Sequence, residues 1–256
     1  MNILVTNDDG IEARGIRRLA EALAAEEDVA VYVAAPDSQR SAASHAITTG
    51  GAITLHEVSF PTARRALETS GTPADSVKLG IRFFRSQDIE MDMVYSGINH
   101  GSNLGTDTLY SGTVGAAVEG AMNGKPSVAV SVNSHQPTHF DYACELAVRT
   151  LRALRRHHPG AVTFNINTPN LPREEILGFR CTHLGPREYD EWFSPRDTAG
   201  GTAEYEYRGR PVVYDSHNVD VDVIADQDRY ASITPLQYDL TDHAQLAAMK
   251  TWEIEE

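Results

Sequence analysis

The sequence contains few lysines and few basic residues of any kind. Only Lys78, Lys125 and Lys250 are lysines among 22 basic residues, against 36 acidic ones, and the formal net charge is −14. A protein that coats nucleic acid needs a basic surface to neutralise phosphates, so this composition argues against that function. Strong ionic screening tolerates an acidic, lysine-poor surface, which leads to the hypothesis of a high-salt habitat.

Cysteines and long apolar runs are also scarce. The two cysteines, Cys144 and Cys181, lie far apart and match no metal-binding or redox spacing. No apolar run approaches the roughly 20 residues that a membrane-spanning helix needs. The first strand is predicted to begin directly after Met1, which leaves no room for a signal peptide. A cytoplasmic protein with free thiols and no membrane partner is therefore expected.

The first ten residues contain the most informative pattern. The apolar run at residues 3–5 is typical of a strand buried on both faces of a parallel sheet. Asp8, Asp9 and Gly10 follow at its carboxyl end, where open α/β sheets bind ligands. Two adjacent carboxylates repel each other, and a divalent cation would hold them together. An ordinary turn with an aspartate helix cap explains the motif equally well.

Apolar runs alternate with helical spacings along the first two thirds of the chain. Strands are predicted at residues 3–5, 29–35, 52–58, 92–98, 127–132 and 162–166, and helices at residues 16–27, 73–84, 113–123 and 140–156. This repeated order of strand, helix and strand predicts an α/β fold with a doubly wound, mostly parallel sheet. No G-x-G-x-x-G motif follows the first strand, which argues against a dinucleotide-dependent oxidoreductase.

The composition changes after about residue 170. Residues 176–228 are rich in Gly, Pro, Asp and Tyr, and hairpins are predicted around residues 203–207 and 211–214. A strand at residues 230–236 and a helix at residues 241–254 complete the chain. The predicted organisation is a catalytic core at residues 1–170 and an extension at residues 171–256. The extension is β-rich, contains the last core strand and a terminal helix, and is expected to pack against a second subunit.

Four polar stretches fall at predicted carboxyl ends of strands or at helix N-termini. They are residues 7–10, 36–41, 96–105 and 110–113. Oxygens of aspartate, serine and asparagine suit hard cations such as Mg²⁺, Mn²⁺ or Ca²⁺. Hydroxyls and glycine-flanked N–H groups before a helix form an anion site. Each stretch alone is more often a cap or a turn, but four at one sheet edge predict a metal beside a phosphate pocket.

These stretches resemble the SurE family, the stationary-phase survival nucleotidases, which are metal-dependent phosphatases of nucleoside 5′- and 3′-monophosphates. The resemblance covers almost the whole chain in order. The motifs that carry it are residues 7–10, 35–37, 40–41, 71–73, 96–99, 103–105, 110–113, 165–167, 232–236 and 239–241.

The resemblance implies a Rossmann-like core and one divalent cation per subunit, which is Mg²⁺, Mn²⁺ or Co²⁺. The implied metal ligands are Asp8, Asp9, Ser41 and Asn99, and the implied phosphate-binding residues are Asn99, Ser111, Gly112 and Thr113. Asp8, Asp9 and Asn99 are the expected catalytic residues, because a metal-activated water would attack phosphorus and one aspartate would accept its proton. The expected substrate is a nucleoside monophosphate.

The resemblance further implies homodimers or homotetramers that exchange the C-terminal extension. Asp239 and His243, four residues apart on the predicted terminal helix, are assigned to an interface or to packing. Two positions depart from the family pattern. Ala42 replaces a common glycine, with little expected effect. His100 replaces a small residue and is expected to be a solvated loop histidine, with a contact to the phosphate as the alternative.

Three other functions fit parts of the pattern. A receiver-type signalling domain also places paired acidic residues after its first strand, but Asn99 and residues 131–133 stand where its phosphorylated aspartate and its lysine would be sought. A haloacid-dehalogenase-like phosphatase needs its two aspartates two residues apart. A phosphatase that acts mainly on polyphosphate or other small monoesters stays open. The base-stacking candidates are Tyr110, Tyr189 and Trp192, which sequence alone does not place.

Overall fold

The computed structural model describes residues 1–190, 193–196, 203–207, 209, 211–212, 214 and 216–252. In this part of the chain the strands are β1 (Asn2–Thr6), β2 (Ala30–Pro36), β3 (Leu55–Val58), β4 (Arg65–Thr69), β5 (Met93–His100), β6 (Ser127–Asn133), β7 (Thr163–Pro169), β8 (Phe179–Cys181), β9 (Phe193–Arg196), β10 (Glu204–Tyr207) and β11 (Ala231–Leu236). The helices are α1 (Arg14–Ala24), α2 (Pro73–Arg85), α3 (Gly112–Met122), α4 (Asp141–His157), α5 (Asp222–Gln227) and α6 (His243–Met249).

Nine of these strands form one mixed, mostly parallel sheet. Its order is β3-β4-β2-β1-β5-β6-β7-β11-β8. Neighbouring strands are parallel except for the pairs β3–β4 and β11–β7. Strands β9 and β10 form a separate antiparallel ribbon. The predicted α/β fold, with a mostly parallel sheet and a β-rich region near the C-terminus, is confirmed.

Helices cover both faces of the sheet, which explains the continuous apolar run in β1. Ile3 and Val5 pack in a cluster that includes residues of α1 and α4. Leu4 points to the opposite face and packs in a cluster that includes Val77 and Phe84 of α2. Successive side chains of a strand alternate between faces, so a strand covered on both sides has to be apolar at every position.

The carboxyl ends of β1 and β5 meet where the direction of the strand order changes. The chain proceeds from β1 outward to β2 and β4 on one side, and from β5 outward to β6 and β7 on the other. In doubly wound sheets this switch point opens a crevice in which ligands bind. The metal site predicted from the sequence includes residues of the turn after β1 and of the end of β5.

A glycine allows the first helix to lie directly on the strand that supplies Asn99. A Cβ built on Gly15 of α1 would lie 1.9 Å from the carbonyl oxygen of Ile98 and 2.9 Å from its carbonyl carbon. No side chain fits in that space, because non-bonded heavy atoms in a packed core are separated by about 3.5–4.0 Å. The backbone of Ile98, which precedes Asn99, is therefore positioned by direct contact with α1.

Several predictions of local structure were incomplete. Strands β4, β8 and β9 and helix α5 were not predicted, and residues 204–207 of the first predicted hairpin form a single strand, β10, whose partner is β9. Pro211 forms an isolated bridge with Tyr189, while residues 213 and 215 lie outside the described residues. The terminal helix is shorter than predicted, and Asp239 precedes it instead of lying on it.

The predicted boundary near residue 170 stays a prediction. Two strands from beyond it, β8 and β11, belong to the same sheet as the proposed catalytic core. Over the residues described above, no helix combines the length and the apolar character needed to cross a bilayer.

Candidate metal and phosphate site

A cavity of about 810 Å³ opens at the switch point of the sheet. Its lining includes all four residues that were expected to hold a metal, Asp8, Asp9, Ser41 and Asn99. Asp8 and Asp9 come from the turn after β1, Ser41 comes from the loop after β2, and Asn99 lies near the end of β5. Three segments distant in sequence therefore bring oxygen-bearing side chains to one cavity.

Asp8 is a buried carboxylate, and the charged group beside it is a second carboxylate, that of Asp9. The residue is only 4% exposed, and both of its carboxylate oxygens accept hydrogen bonds from Thr113. The hydroxyl of Thr113 donates to Oδ1 at 2.5 Å, and the backbone N–H donates to Oδ2 at 3.2 Å. Burial raises the pKa of Asp8 to about 6, the Thr113 hydroxyl opposes the rise, and the charge of Asp9 adds to it. A bound cation would supply the missing positive charge.

The other three candidate ligands keep an oxygen available for a cation. The backbone N–H of His100 donates to Oδ2 of Asp9 at 3.0 Å. The amide nitrogen of Asn99 donates to the carbonyl of Gly101 at 2.9 Å, which leaves the amide oxygen as its acceptor atom. The hydroxyl of Ser41 accepts from the Gln39 amide at 2.8 Å and retains a second lone pair.

The set of two carboxylates, one hydroxyl and one amide fits a hard divalent cation. Such cations prefer oxygen ligands and usually keep several waters. Among the described residues there is no group of three or more His, Cys, Asp or Glu that could hold a metal. The implied set contains only two residues of those types, and its other donors are a hydroxyl and an amide. A softer metal such as Zn²⁺, which favours His and Cys, fits less well.

The loop that carries Ser41 is fixed to the rest of the site at several points. The N–H of Arg40 donates to the carbonyl of Asp8 at 2.7 Å, and the N–H of Ser44 donates to the carbonyl of Tyr110 at 3.0 Å. His45 pairs with the buried Glu119 of α3 at 2.8 Å. These contacts explain why a loop of this length is ordered next to the cavity.

Ala42 in the same loop adopts a backbone conformation that favours glycine. Its φ of 56° lies in the left-handed region, where a Cβ costs roughly 1–2 kcal/mol. The methyl group removes no ligand, so its small expected effect on the site stays a prediction, although a Cβ is unfavourable at this φ. The backbone conformation gives a physical reason why a glycine suits this position.

The N-terminus of α3 lies against Asp8, on the side of the cavity where a phosphate is expected. Ser111 caps the helix by accepting from the N–H of Val114 at 3.1 Å, and Ser111 lines the cavity. A Cβ on Gly112 would lie 3.0 Å from both Cβ and Oδ2 of Asp8, so glycine permits this close approach. Thr113 is fully buried and directs its two donors at Asp8.

The predicted phosphate-binding residues therefore occupy different positions. Asn99 and Ser111 line the cavity, while Gly112 and Thr113 lie behind Asp8. His100 also lines the cavity, but it is not the solvated histidine expected from sequence. It is half-buried, its Nε2 is shielded from solvent, and its ring centroid lies 6.0 Å from that of Phe140.

A polar network that was not predicted from the sequence fixes one wall of the cavity. Asn103, which lines the cavity, donates its backbone N–H to Asn167 at 2.7 Å and its side-chain amide to Ser131 at 2.8 Å. Its carbonyl accepts from Asn165 at 2.8 Å. Asn165 and Asn167 are two residues apart on β7 and therefore share a face. That spacing could have indicated a common partner, but not that the partner is Asn103.

One residue that was not assigned from the sequence, His135, also lines the cavity. His135 follows β6, so its place at the carboxyl edge could have been inferred from the strand order. Tyr110 and Tyr189, two of the stacking candidates, line the cavity, and Trp192 lies outside the described residues. Asp239 and His243 form an exposed pair at 3.0 Å, and the structure places them outside the cavity lining.

The model of the family described as "Survival protein SurE" matches residues 3–191. The chain belongs to the SurE family. The matched residues include the four candidate metal ligands and the N-terminus of α3.

Relatives extend the SurE similarity to nearly the full chain. A protein of Carboxydothermus hydrogenoformans named "5′-nucleotidase SurE" is 41% identical over 98% of this chain and 96% of its own. A protein of Gloeobacter violaceus with the same name is 44% identical, over 94% and 91% respectively. The crystal structure of the SurE protein from Aquifex aeolicus superposes with a TM-score of 0.83 at 33% identity and covers 98% of both chains.

Proposed function

We propose that this SurE protein is a metal-dependent 5′-nucleotidase that also accepts nucleoside 3′-monophosphates. The observation that carries the proposal is the pair of carboxylates on Asp8 and Asp9. They face one cavity together with the oxygens of Ser41 and Asn99, and Asp8 has an anion as its charged neighbour. The name shared by the curated relatives supports the same activity.

The proposed metal is one Mg²⁺, Mn²⁺ or Co²⁺ ion per subunit, held by Asp8, Asp9, Ser41 and Asn99. When bound, a divalent cation lowers the pKa of a coordinated water and withdraws charge from a phosphate oxygen. Asp8 and Asp9 supply the negative charge that holds such an ion, and one of them accepts the proton of the attacking water. Thr113 is a positioning residue, because its two donors fix the carboxylate of Asp8.

The proposed phosphate pocket lies between Asn99 and the N-terminus of α3. Val114 donates to the hydroxyl oxygen of Ser111, so the hydroxyl proton of Ser111 remains free to donate to the substrate. The positive end of the helix dipole at Gly112 favours an anion at the same point. Hydrolysis needs mainly positioning and charge stabilisation, because phosphoryl transfer spreads negative charge over the phosphate oxygens.

The charge of the cavity favours a monoester over polyphosphate. Among its described lining residues there is no lysine or arginine, and its nitrogen-bearing rings belong to His100 and His135. One divalent cation and a helix N-terminus can balance a monoester dianion, whereas the described lining residues offer no basic side chain to the added charge of further phosphates. Its volume of about 810 Å³ is within the usual range for small-ligand sites.

The oligomeric part of the proposal is a homodimer or homotetramer formed through the C-terminal extension. Helix α6 has no buried residue, and Leu240 beside it is 82% exposed. Leu246, Met249 and Trp252 are also exposed apolar side chains. A second copy of the chain would cover this apolar surface.

A substrate panel tests the activity. Phosphate release is measured in Mn²⁺ with AMP, GMP, CMP, UMP, adenosine 3′-monophosphate and tripolyphosphate. We expect kcat/KM for the 5′-monophosphates to be at least about tenfold higher than for tripolyphosphate. A tenfold difference in kcat/KM requires only about 1.4 kcal/mol of differential transition-state binding.

Two results of the panel would contradict the proposal. Faster hydrolysis of tripolyphosphate would assign the cavity to polyphosphate. A stable aspartyl-phosphate, detected by mass spectrometry after incubation with a phosphodonor and without turnover, would favour the receiver-like function instead.

A further inference from the structure

The cavity extends from the two aspartates to an aromatic wall. Tyr110 directly precedes Ser111, the cap of α3, and its side chain is 58% exposed. Tyr189 belongs to the segment between β8 and β9, in the proposed extension. Both tyrosines line the same cavity as Asp8 and Asp9. The aromatic wall, defined here as Tyr110 and Tyr189, is thus continuous with the proposed phosphate pocket.

The ring of Tyr189 is anchored through its hydroxyl. This hydroxyl donates to Oδ2 of Asp107 at 2.5 Å, and the guanidinium of Arg187 lies 3.5 Å from the same oxygen. Burial and the Asp107 carboxylate raise the pKa of Tyr189 to about 12, so the hydroxyl stays a donor at neutral pH. Thr106 donates to the carbonyl of Arg187 at 3.1 Å and holds the same segment.

Hydrogen bonds also hold the backbone of Tyr110. Its N–H donates to the carbonyl of Asp107 at 3.0 Å, and its carbonyl accepts from the N–H of Ser44 at 3.0 Å. Both tyrosines therefore connect to Asp107, one through its side chain and the other through its backbone. The anchored ring of Tyr189 therefore loses little conformational entropy when a planar ligand stacks against it.

The carboxylate of Asp107 is already engaged, which affects selectivity. Its Oδ2 accepts from Tyr189 and pairs with Arg187. A site discriminates strongly among bases when a buried polar group would be left without a partner by the wrong one. An acceptor that already has partners imposes no such penalty. Stacking, by contrast, tolerates every base, since each has a π-face.

We infer that Tyr110 and Tyr189 form the nucleoside subsite, which binds the base by stacking and discriminates little among the four common bases. The inference rests on the proposed nucleotidase function and adds the residues that distinguish a nucleotide from other phosphomonoesters. It also assigns half of the aromatic wall to the extension. Substitutions in the extension can then alter substrate preference without touching the metal ligands.

The test compares nucleotides with a substrate that lacks a base. For wild type and variants, kcat/KM is measured for AMP, GMP, CMP, UMP and ribose 5-phosphate. Tyr110→Ala and Tyr189→Ala are each expected to lower the ratio of AMP to ribose 5-phosphate by about tenfold, through KM, because stacking on one aromatic ring contributes about 1–3 kcal/mol per base. The ratios for the other three nucleotides are expected to fall by a similar factor.

Matched variants separate stacking from general disruption. Tyr110→Phe keeps the ring and the backbone contacts of Tyr110 and is expected to retain the ratio within about threefold, a difference of less than one stacking contact. Leu109→Ala removes an equally exposed apolar side chain outside the cavity lining and is expected to leave the ratio unchanged. Equal losses for AMP and ribose 5-phosphate in the alanine variants would overturn the inference.

A binding measurement keeps the inference separate from the proposed activity. Adenosine has no phosphate, so its dissociation constant, measured by calorimetric titration of the metal-free protein, reports on the nucleoside part of the cavity without the phosphate pocket. Tyr110→Ala is expected to weaken it by about tenfold, as for the nucleotides. Unchanged adenosine binding in both alanine variants would overturn the nucleoside subsite even if every nucleotide were hydrolysed. Weakened binding without any hydrolysis would contradict the proposed function and support the subsite.

Discussion

Replacing Asp8 with asparagine is expected to lower kcat for AMP by about 1000-fold or more, since charge stabilisation by a catalytic cation supplies several kcal/mol and each 1.36 kcal/mol is tenfold in rate. The amide has almost the shape of the carboxylate but lacks its charge. The Asp8→Asn variant would therefore bind a divalent cation only weakly, although Thr113 and Asp9 are unchanged. The measurement is phosphate release at limiting Mn²⁺.

Two variants of Thr113 provide the control for that result. Thr113→Val removes the hydroxyl that donates to Asp8 and is expected to weaken Mn²⁺ binding by about 10–100-fold, the usual effect of losing a hydrogen bond to a metal ligand. Thr113→Ser keeps the hydroxyl and is expected to stay near wild type. Turnover by Asp8→Asn within tenfold of wild type, at a Mn²⁺ concentration that limits both, would exclude Asp8 as a ligand.

The metal-free Asp8→Asn variant is expected to be at least as stable as wild type. Burial raises the pKa of Asp8 to about 6, so the folded chain binds a proton there more tightly than the unfolded chain does. The ionised group therefore lowers the free energy of unfolding as the pH rises through about 6, and asparagine removes this effect. A loss of activity without a loss of thermal stability would show that the variant is folded.

Replacing Gly15 with alanine is expected to lower the free energy of unfolding by about 3 kcal/mol, the upper end for overpacking a close-packed core. The added Cβ would lie 1.9 Å from the carbonyl oxygen of Ile98, so α1 has to move away from β5. Without this clash, alanine would stabilise the helix relative to glycine by about 1 kcal/mol. The clash therefore determines that the substitution lowers the free energy of unfolding. Since Asn99 follows Ile98, Mn²⁺ binding is expected to weaken as well.

Gly50→Ala is the matched control for this stability measurement. A Cβ on Gly50 would meet nothing within 4 Å, so its free energy of unfolding is expected to stay within about 0.5 kcal/mol of wild type. Both variants are compared with wild type by urea unfolding of the metal-free protein. Equal stability of the two variants would show that α1 does not contact β5 as closely as described.

The parts of the fold that sequence reasoning predicted correctly depend on local signals. The apolar run at residues 3–5 predicted a strand covered on both faces, and helices cover both faces of β1. Thr72 and Pro73 predicted the start of α2, and Thr72 forms a capping box with Asp75 there. In these cases the side chains that decide the structure lie within a few residues of one another.

The missed elements depend on contacts that are distant in sequence. Strand β4 reads Arg-Ala-Leu-Glu-Thr, with charged residues among the apolar ones, and it is a strand because β2 and β3 flank it. Helix α5 has only six residues, too few for a helical period to show. Its Asp222 accepts from the N–H groups of Gly105 and Gly185, which lie 117 and 37 residues away.

The candidate site shows the same division. The motifs around Asp8, Ser41 and Asn99 were recognisable because the sequence shows their residue types and their positions after predicted strands. The role of Thr113 could not be recognised from the sequence, because its two donors reach Asp8 only where α3 approaches the turn after β1. Likewise, the anchoring of Tyr189 by Asp107 spans 82 residues.

The central claim is that the side chains of residues 8, 9, 41 and 99 share one divalent ion. Its most direct test is an anomalous difference map at the manganese edge, from a crystal grown with Mn²⁺ and inorganic phosphate. We predict one strong peak per chain, about 2.0–2.6 Å from carboxylate oxygens of both Asp8 and Asp9, as hard-cation coordination requires. A map without a peak between these two carboxylates, from a crystal of protein that Mn²⁺ activates, would contradict the claim.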